Sequence, residues 1–208
     1  MKTVVLAMGL ALAAGAAQAE IRKAVVAGGC FWCVESDFEA VKGVQDVVSG
    51  FAGGKGENPT YKEVSRGDTG HYEVVQITYD DAVLPYADLV ARFLRSIDVT
   101  DAGGQFCDRG DTYRTAIFVS DAAEKTVAEA AVTQAGQQLG QAIATKILPA
   151  APFWPAEDYH QGYYQSSDIV LTRGGPMQKK NAYTFYREGC GRDARLKALW
   201  GKDAWSAH

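Results

Sequence analysis

Ala24-Val25-Val26-Ala27 is a short apolar run with the character of a buried strand, and it breaks on Gly28-Gly29 directly ahead of Cys30-Phe31-Trp32-Cys33. A strand that must turn on two glycines into a segment of different periodicity leaves few local structures open. Beyond the turn, Phe31, Val34, Phe38 and Val41 recur at the three-and-four spacing of one helical face, and Gly43 stands where such a helix stops. The spacing therefore predicts strand, tight turn and helix, with Cys30 opening the helix. A thiol at that position faces unpaired backbone N–H groups and the positive end of the helix dipole, which favour the reactive thiolate. Glu35 is expected in the first turn, where a carboxylate suits the dipole.

Lys2, the apolar run over 4–17 and the small-x-small triplet Ala17-Gln18-Ala19 have the layout of a secretory signal peptide at 1–19. The run is shorter than the roughly 20 residues a spanning helix needs. Export, to a bacterial periplasm, is expected, and stable membrane insertion is not. Residues 20–208 then read as one domain with a C-terminal tail, since 47% hydrophobic content supplies a core and no linker or repeat divides them. A formal charge of −4 without a basic stripe argues against nucleic acid as a partner. A monomer is expected.

Disulfides persist after export, so Cys30, Cys33, Cys107 and Cys190 are candidates for two bridges. A Cys-x-x-Cys bridge closes too small a loop to remove much chain entropy, which makes Cys30 and Cys33 a redox pair. Cys107 and Cys190 read as a staple or as dispensable thiols. His71, His160 and His208 match no cysteine at zinc-ligand spacing, so no metal is expected.

Strands are expected near 21–27, 44–51, 71–79, 113–119 and 143–148, with helices over 85–97, 121–140 and 192–200. Their irregular alternation predicts an α+β fold, a two-layer sandwich with a mainly antiparallel central sheet and helices packed on one face. Alternation over 71–79 puts Glu73 on the face of Val75, Ile77 and Tyr79. There its charged form is disfavoured and it becomes a candidate proton donor near neutrality; the alternative is an edge glutamate in solvent. Asp108 is expected to pair with Arg109 or Arg114 as surface charges do, and the basic segment from Arg192 to form a solvated face. Tyr159, Tyr163 and Tyr164 are candidates either to line a cleft or to cover the core.

Gly29-Cys30-Phe31-Trp32 with Glu35 resembles the signature of the A-type peptide methionine sulfoxide reductases. Asn58-Pro59-Thr60-Tyr61 with Glu63-Val64, Gly67-Asp68-Thr69-Gly70-His71 with Glu73, Asp108 with Tyr113-Arg114, and Ala156-Glu157-Asp158-Tyr159-His160-Gln161 resemble further segments of that family in the same order. The resemblance implies a ferredoxin-like plait and reduction of methionine S-sulfoxide, free or in oxidised proteins, without a bound cofactor. By similarity Cys30 attacks the sulfoxide sulfur, Glu73 protonates its oxygen, Tyr61 and Tyr113 hydrogen-bond that oxygen, Phe31 and Trp32 receive the methyl group, and Asp108 belongs to the pocket. Cys30 would become a sulfenic acid that a second thiol converts to a disulfide, for recycling by a thioredoxin-like reductant. The position after Trp32, often glycine in the family, is Cys33 here, which makes Cys33 the expected resolving thiol and Cys190 its alternative. The competing reading is a thioredoxin-like thiol-disulfide oxidoreductase, which also shows a strand, a turn and Cys-x-x-Cys opening a helix.

Overall fold

The computed structural model describes residues 20–206; the signal peptide expected at 1–19 and His208 lie outside the described residues. In chain order, β1 (Ile21–Gly28) leads into α1 (Phe31–Glu39), followed by β2 (Val44–Ala52), the short α2 (Tyr61–Val64), β3 (Tyr72–Asp80), α3 (Tyr86–Arg95), the small strands β4 (Gly104–Gln105) and β5 (Asp108–Arg109), and β6 (Thr115–Val119). Then come α4 (Ala122–Leu139), β7 (Lys146–Pro149), β8 (Phe153–Pro155), β9 (Ile169–Thr172), β10 (Gly175–Gln178), α5 (Lys179–Gly189) and α6 (Arg192–Trp200). Every strand and helix expected above is present, with shifted ends. No element was expected over β9 and β10, although Ile169-Val170-Leu171-Thr172 ahead of Gly174-Gly175 is a hairpin signal.

The main sheet runs β7-β6-β1-β3-β2-β8. It is mixed, which corrects the expectation of a mainly antiparallel sheet. β7 lies parallel to β6, with Ala116 opposite Lys146, because the 18-residue α4 forms a crossover where a hairpin would have reversed the chain. β1 pairs antiparallel with β3 and β6, and β2 antiparallel with β3 and β8.

Period two sorts the two faces of the sheet. Ala24 and Val26 of β1 and Val75, Ile77 and Tyr79 of β3 enter the main core with Phe31, Val34 and Phe38 of α1 and Leu89, Val90 and Phe93 of α3. Ala128 and Ala135 of α4 and Leu196 and Trp200 of α6 join the same core. Ala27, Tyr72, Val74, Ala116 and Phe118 form a smaller cluster on the other face. Burying each large apolar side chain contributes about 1.5–3 kcal/mol, so the helical face carries most of the stabilisation.

Local signals set the ends of the elements. The Thr60 side chain accepts from the Glu63 N–H while Glu63 Oε2 accepts from the Thr60 N–H, a closed capping box that holds α2 despite its single turn. Asp121 caps α4 by accepting from the Glu124 N–H at 2.8 Å, and Gly140 ends it in the left-handed region. α1 stops at Glu39, short of Gly43, which instead makes the turn into β2 at φ +99°.

The C-terminal helices correct a second expectation. Within the segment expected to be solvated, Arg195 and Lys197 are exposed but Arg192 is buried, because its guanidinium, like that of the buried Arg187 before it, reaches the wholly buried Asp37 of α1. Cys107 and Cys190 form a disulfide with their Cα atoms 5.1 Å apart, the staple alternative of the sequence reading.

Candidate active site

The turn that carries Cys30 is held tightly. Gly29 sits at φ +81°, and a Cβ there would lie 2.5 Å from Gln105 Cβ, so glycine is required both by conformation and by space. Gln105 is itself fixed, accepting from the Asp98 N–H and donating to the Asp98 carbonyl, each at 2.8 Å. Cys30 is the N-cap of α1, and the Phe31 N–H just beyond it donates to Glu73 Oε2 at 3.0 Å.

Cys30, Phe31, Trp32, Tyr61, Glu73, Asp108, Tyr113 and Tyr186 line one cleft of about 70 Å³. Four segments far apart in sequence meet there: the start of α1, β3, the α2 turn and the loop through β5, closed by α5. Glu73 is buried on the helix-side face of β3, and burial pushes its carboxyl up to about 8, with the Phe31 N–H opposing the rise. It is therefore a neutral acid at pH 7. Burial likewise raises the Tyr61 and Tyr113 phenols, which hydrogen-bond one another and stay protonated donors. The Tyr61 N–H is held by the Glu157 carboxylate at 3.2 and 3.3 Å.

Asp108 departs from its expected surface pairing. It accepts a hydrogen bond from the Tyr186 hydroxyl and burial raises its carboxyl, while Arg109 pairs with Asp101 and Arg114 with Asp111. The β4–β5 hairpin turns Asp108 inward. Tyr186 was not anticipated; its only sequence signal is the spacing of Tyr183, Tyr186 and Cys190 along one helical face.

One wall of the site is aromatic. Trp32 stacks on Tyr163 at 3.8 Å between centroids, and His160 lies 5.1 Å from Phe31, 5.6 Å from Trp32 and 4.3 Å from Tyr61. Among the described residues neither ring nitrogen of His160 has a hydrogen-bond partner, and burial lowers its pKa to about 4, so the ring is neutral at pH 7. Among the tyrosines offered as cleft or cover, Tyr163 stacks at the site, Tyr164 donates to Glu39, and Tyr159 is largely exposed. Glu35 is not a first-turn residue: it is buried one turn further on, accepts from Ser49 Oγ at 2.9 Å and the Gly162 N–H at 2.6 Å, and burial raises it to about 7. It ties the loop of His160 and Tyr163 to α1.

Cys33 lies next to Cys30 in one cluster with Tyr163 and Tyr183, and both thiols are free, whereas Cys190 is bonded to Cys107 outside the cleft lining. The expected charge state of the pair is inverted. Burial, the hydrogen bond to Cys33 and the nearby Glu73 and Asp108 carboxyls push the Cys30 thiol up. The Cys30 hydrogen bond, with Arg192 and Arg187, pulls Cys33 down against its own burial. A lone helix terminus does not outweigh two acids and desolvation. The arrangement can present an acid and two phenol donors to a leaving oxygen, beside a sulfur nucleophile with a second sulfur in reserve.

Residues 22–188 match the family described as Peptide methionine sulfoxide reductase. The chain is 48% identical over 179 residues to Peptide methionine sulfoxide reductase MsrA 2 of Caulobacter vibrioides, covering 86% of this chain and 85% of that protein. Among solved structures it is similar to reduced Mxr1 of Saccharomyces cerevisiae, with a TM-score of 0.65 and 29% identity over 69% of this chain and 83% of the other. Methionine sulfoxide reductase A of Corynebacterium diphtheriae follows at 0.62 and 29% identity, over 77% and 85%. Mxr1 has also been solved in complex with Trx2.

Proposed function

The chain belongs to the peptide methionine sulfoxide reductase family, and from that membership we propose that it reduces methionine S-sulfoxide, free or in proteins, to methionine, and so repairs oxidised polypeptides. The convergence of Cys30, Glu73, Tyr61 and Tyr113 with the rings of Phe31 and Trp32 on one cleft is the observation that carries this reading. Phe31 and Trp32 receive the methyl group of the substrate, Asp108 with Tyr186 closes the opposite side, and the two phenols hold the sulfoxide oxygen.

Glu73 protonates that oxygen while the Cys30 sulfur bonds to the substrate sulfur, and the thiol proton passes to the Glu73 carboxylate. Oxygen then transfers to the Cys30 sulfur as the substrate S–O bond and the transient bond between Cys30 and the substrate sulfur both break. Methionine leaves with its sulfur reduced, and Cys30 is left as a sulfenic acid with its sulfur oxidised. Cys33 then displaces hydroxide from that sulfenic acid to form a disulfide. A thioredoxin-like dithiol recycles it by exchange, with no bound cofactor required; the yeast relative's complex with Trx2 supports this donor.

Finer features share this reading. The run β1-α1-β2-β3-α3-β6, with spatial order β6-β1-β3-β2, supports a ferredoxin-like plait. The charge and apolar layout of residues 1–19 supports a signal peptide and export to a periplasm, and the Cys107–Cys190 bridge is of a kind that persists there. The reading extends to action as a monomer.

The test pairs methionine formation from the S-sulfoxide with insulin disulfide reduction, using dithiothreitol as donor. Methionine is expected from the parent and none from Cys30→Ser. Insulin reduction without methionine would assign the chain to the thiol-disulfide oxidoreductases instead.

A further inference from the structure

Against α1 the C-terminal helices bring together an uneven set of buried charges. Arg187 of α5 and Arg192 of α6 are 3% and 2% exposed, and they converge on Asp37, which is 0% exposed. Arg187 Nη2 lies 3.0 Å from Asp37 Oδ1, and Arg192 Nε lies 3.8 Å from Asp37 Oδ2. The second carboxylate on Arg187, Asp193, is 41% exposed and shares its charge with solvent. Two guanidiniums that never lose their protons thus face one fully buried anion. The buried set carries positive charge that a further anion can balance.

That anion is available on the same helix. Cys33 precedes Asp37 by four residues, so the two side chains share one face of α1. Cys33 packs against Tyr183, whose hydroxyl accepts from Arg187 Nη1 at 2.9 Å. Arg192 donates to the Ser96 carbonyl at 2.8 Å and to the Gly28 carbonyl at 3.3 Å, which anchors it under the turn that holds Cys30. The other groups facing Cys33 are Cys30, Glu73 of β3 and the Tyr183 and Tyr186 phenols of α5. Glu73 and both phenols are held neutral by burial, the Asp108 carboxyl of β5 lies beyond Tyr186 and also faces Arg192, and the charges that act on the Cys33 sulfur are the two guanidiniums and Asp37.

We propose that Arg187 and Arg192 are positioning residues for the disulfide-forming step, where their guanidiniums, fixed around Asp37, stabilise the negative charge of the Cys33 sulfur as it attacks the Cys30 sulfenic acid. This rests on the reading of Cys30 as the attacking thiol and Cys33 as the resolving one. In that step the Cys33 sulfur bonds to the Cys30 sulfur, the S–O bond breaks, and the departing hydroxide takes the Glu73 proton to leave as water. Cys33 is oxidised and the sulfenic sulfur reduced, without an outside oxidant. A thiolate is the attacking species in such displacements, so its population sets the rate.

The experiment mixes prereduced protein with methionine S-sulfoxide in the absence of reductant. Methionine and the Cys30–Cys33 disulfide are followed separately, the latter by peptide-resolved mass spectrometry. Arg192→Met is expected to yield methionine at the parent rate but to form the disulfide about tenfold more slowly at pH 7, the loss of about one unit of thiolate stabilisation. The pH dependence of that step should move upward by a similar amount, and Arg192→Lys should restore most of the rate. A folded Arg192→Met protein that forms the disulfide at the parent rate, with an unchanged pH profile, overturns the proposal. Should Arg192→Met fail to fold, iodoacetamide labelling of Cys33 in Cys30→Ser decides: a midpoint below the ordinary thiol value near 8.5 supports the proposal and one at or above it overturns it. Absence of methionine from the parent protein would instead overturn the underlying reading, and the proposal with it.

Discussion

Glu73 shows how much one buried side chain can be asked to do. Its carboxyl, pushed up to about 8 by burial, holds a proton at pH 7 that an exposed glutamate would have lost. Activity that depends on the acid form is expected to fall as pH rises through about 8. Glu73→Gln should lower kcat by about a hundredfold or more and abolish that alkaline limb in a pH–rate profile. His160 titrates the other way. Its folded pKa of about 4 lies below the ordinary value, so the stability linked to its neutral form is present above about 6.5 and lost as pH falls toward 4. His160→Phe, which keeps a flat ring among Phe31, Trp32 and Tyr61, should reduce that loss by roughly 2 kcal/mol at pH 5, measured by denaturant melts at pH 5 and 7. Period two gave Glu73 its face, shared with Val75, Ile77 and Tyr79, while the choice between a buried acid and an edge glutamate in solvent was settled only by packing. The charge state of Cys30 was not legible, because helix position is local whereas the burial that opposes ionisation, with the hydrogen bond to Cys33, depends on segments brought together from elsewhere.

At the scale of elements, the strand, turn and helix around Cys30 work as one unit with a close packing distance. A Cβ on Gly28 would meet Val34 Cγ2 at 2.8 Å, Ile97 Cγ2 at 3.0 Å and Phe93 Cε2 at 3.2 Å. Gly28→Ala is expected to cost about 1–3 kcal/mol in chemical denaturation, because α1 and α3 must both move off β1. The cap of α4 is a separable feature: Asp121→Ala should cost about 1 kcal/mol and leave kcat unchanged, since that helix end is remote from the cleft lining. An element with punctuation of its own, such as α4 between Asp121 and Gly140, was readable from the chain. The parallel pairing of β7 was not, since periodicity reveals that a strand exists and says nothing about its neighbour.

For the whole molecule, the C-terminal segment decides whether the cleft is closed. The Cys107–Cys190 bridge joins positions 83 residues apart, tying the loop that presents Asp108 to the end of the helix that presents Tyr186. Replacing both cysteines by serine is expected to lower unfolding stability by about 2–4 kcal/mol, through release of a long loop in the unfolded chain. Methionine yield per enzyme in a single turnover should persist, because Cys30 and Cys33 remain. A double variant that released methionine but left Cys30 as an unresolved sulfenic acid would place the resolving function on Cys190 instead.

By itself the sequence determined the order of the main strands and helices through β7, the helical start at Cys30 and the face of β3 that carries Glu73, and its resemblance to a family named every cleft residue but Tyr186, because glycine positions, periodicity and motif residues act over a few neighbours. Only the tertiary structure decided that Arg187 and Arg192 are buried under α1, that Tyr186 meets Asp108, that Cys107 joins Cys190 and that the thiol at the helix start is the less acidic of the pair. Those outcomes depend on desolvation and on charges delivered from distant segments. Both are fixed by how the chain closes on itself rather than by any local run of residues.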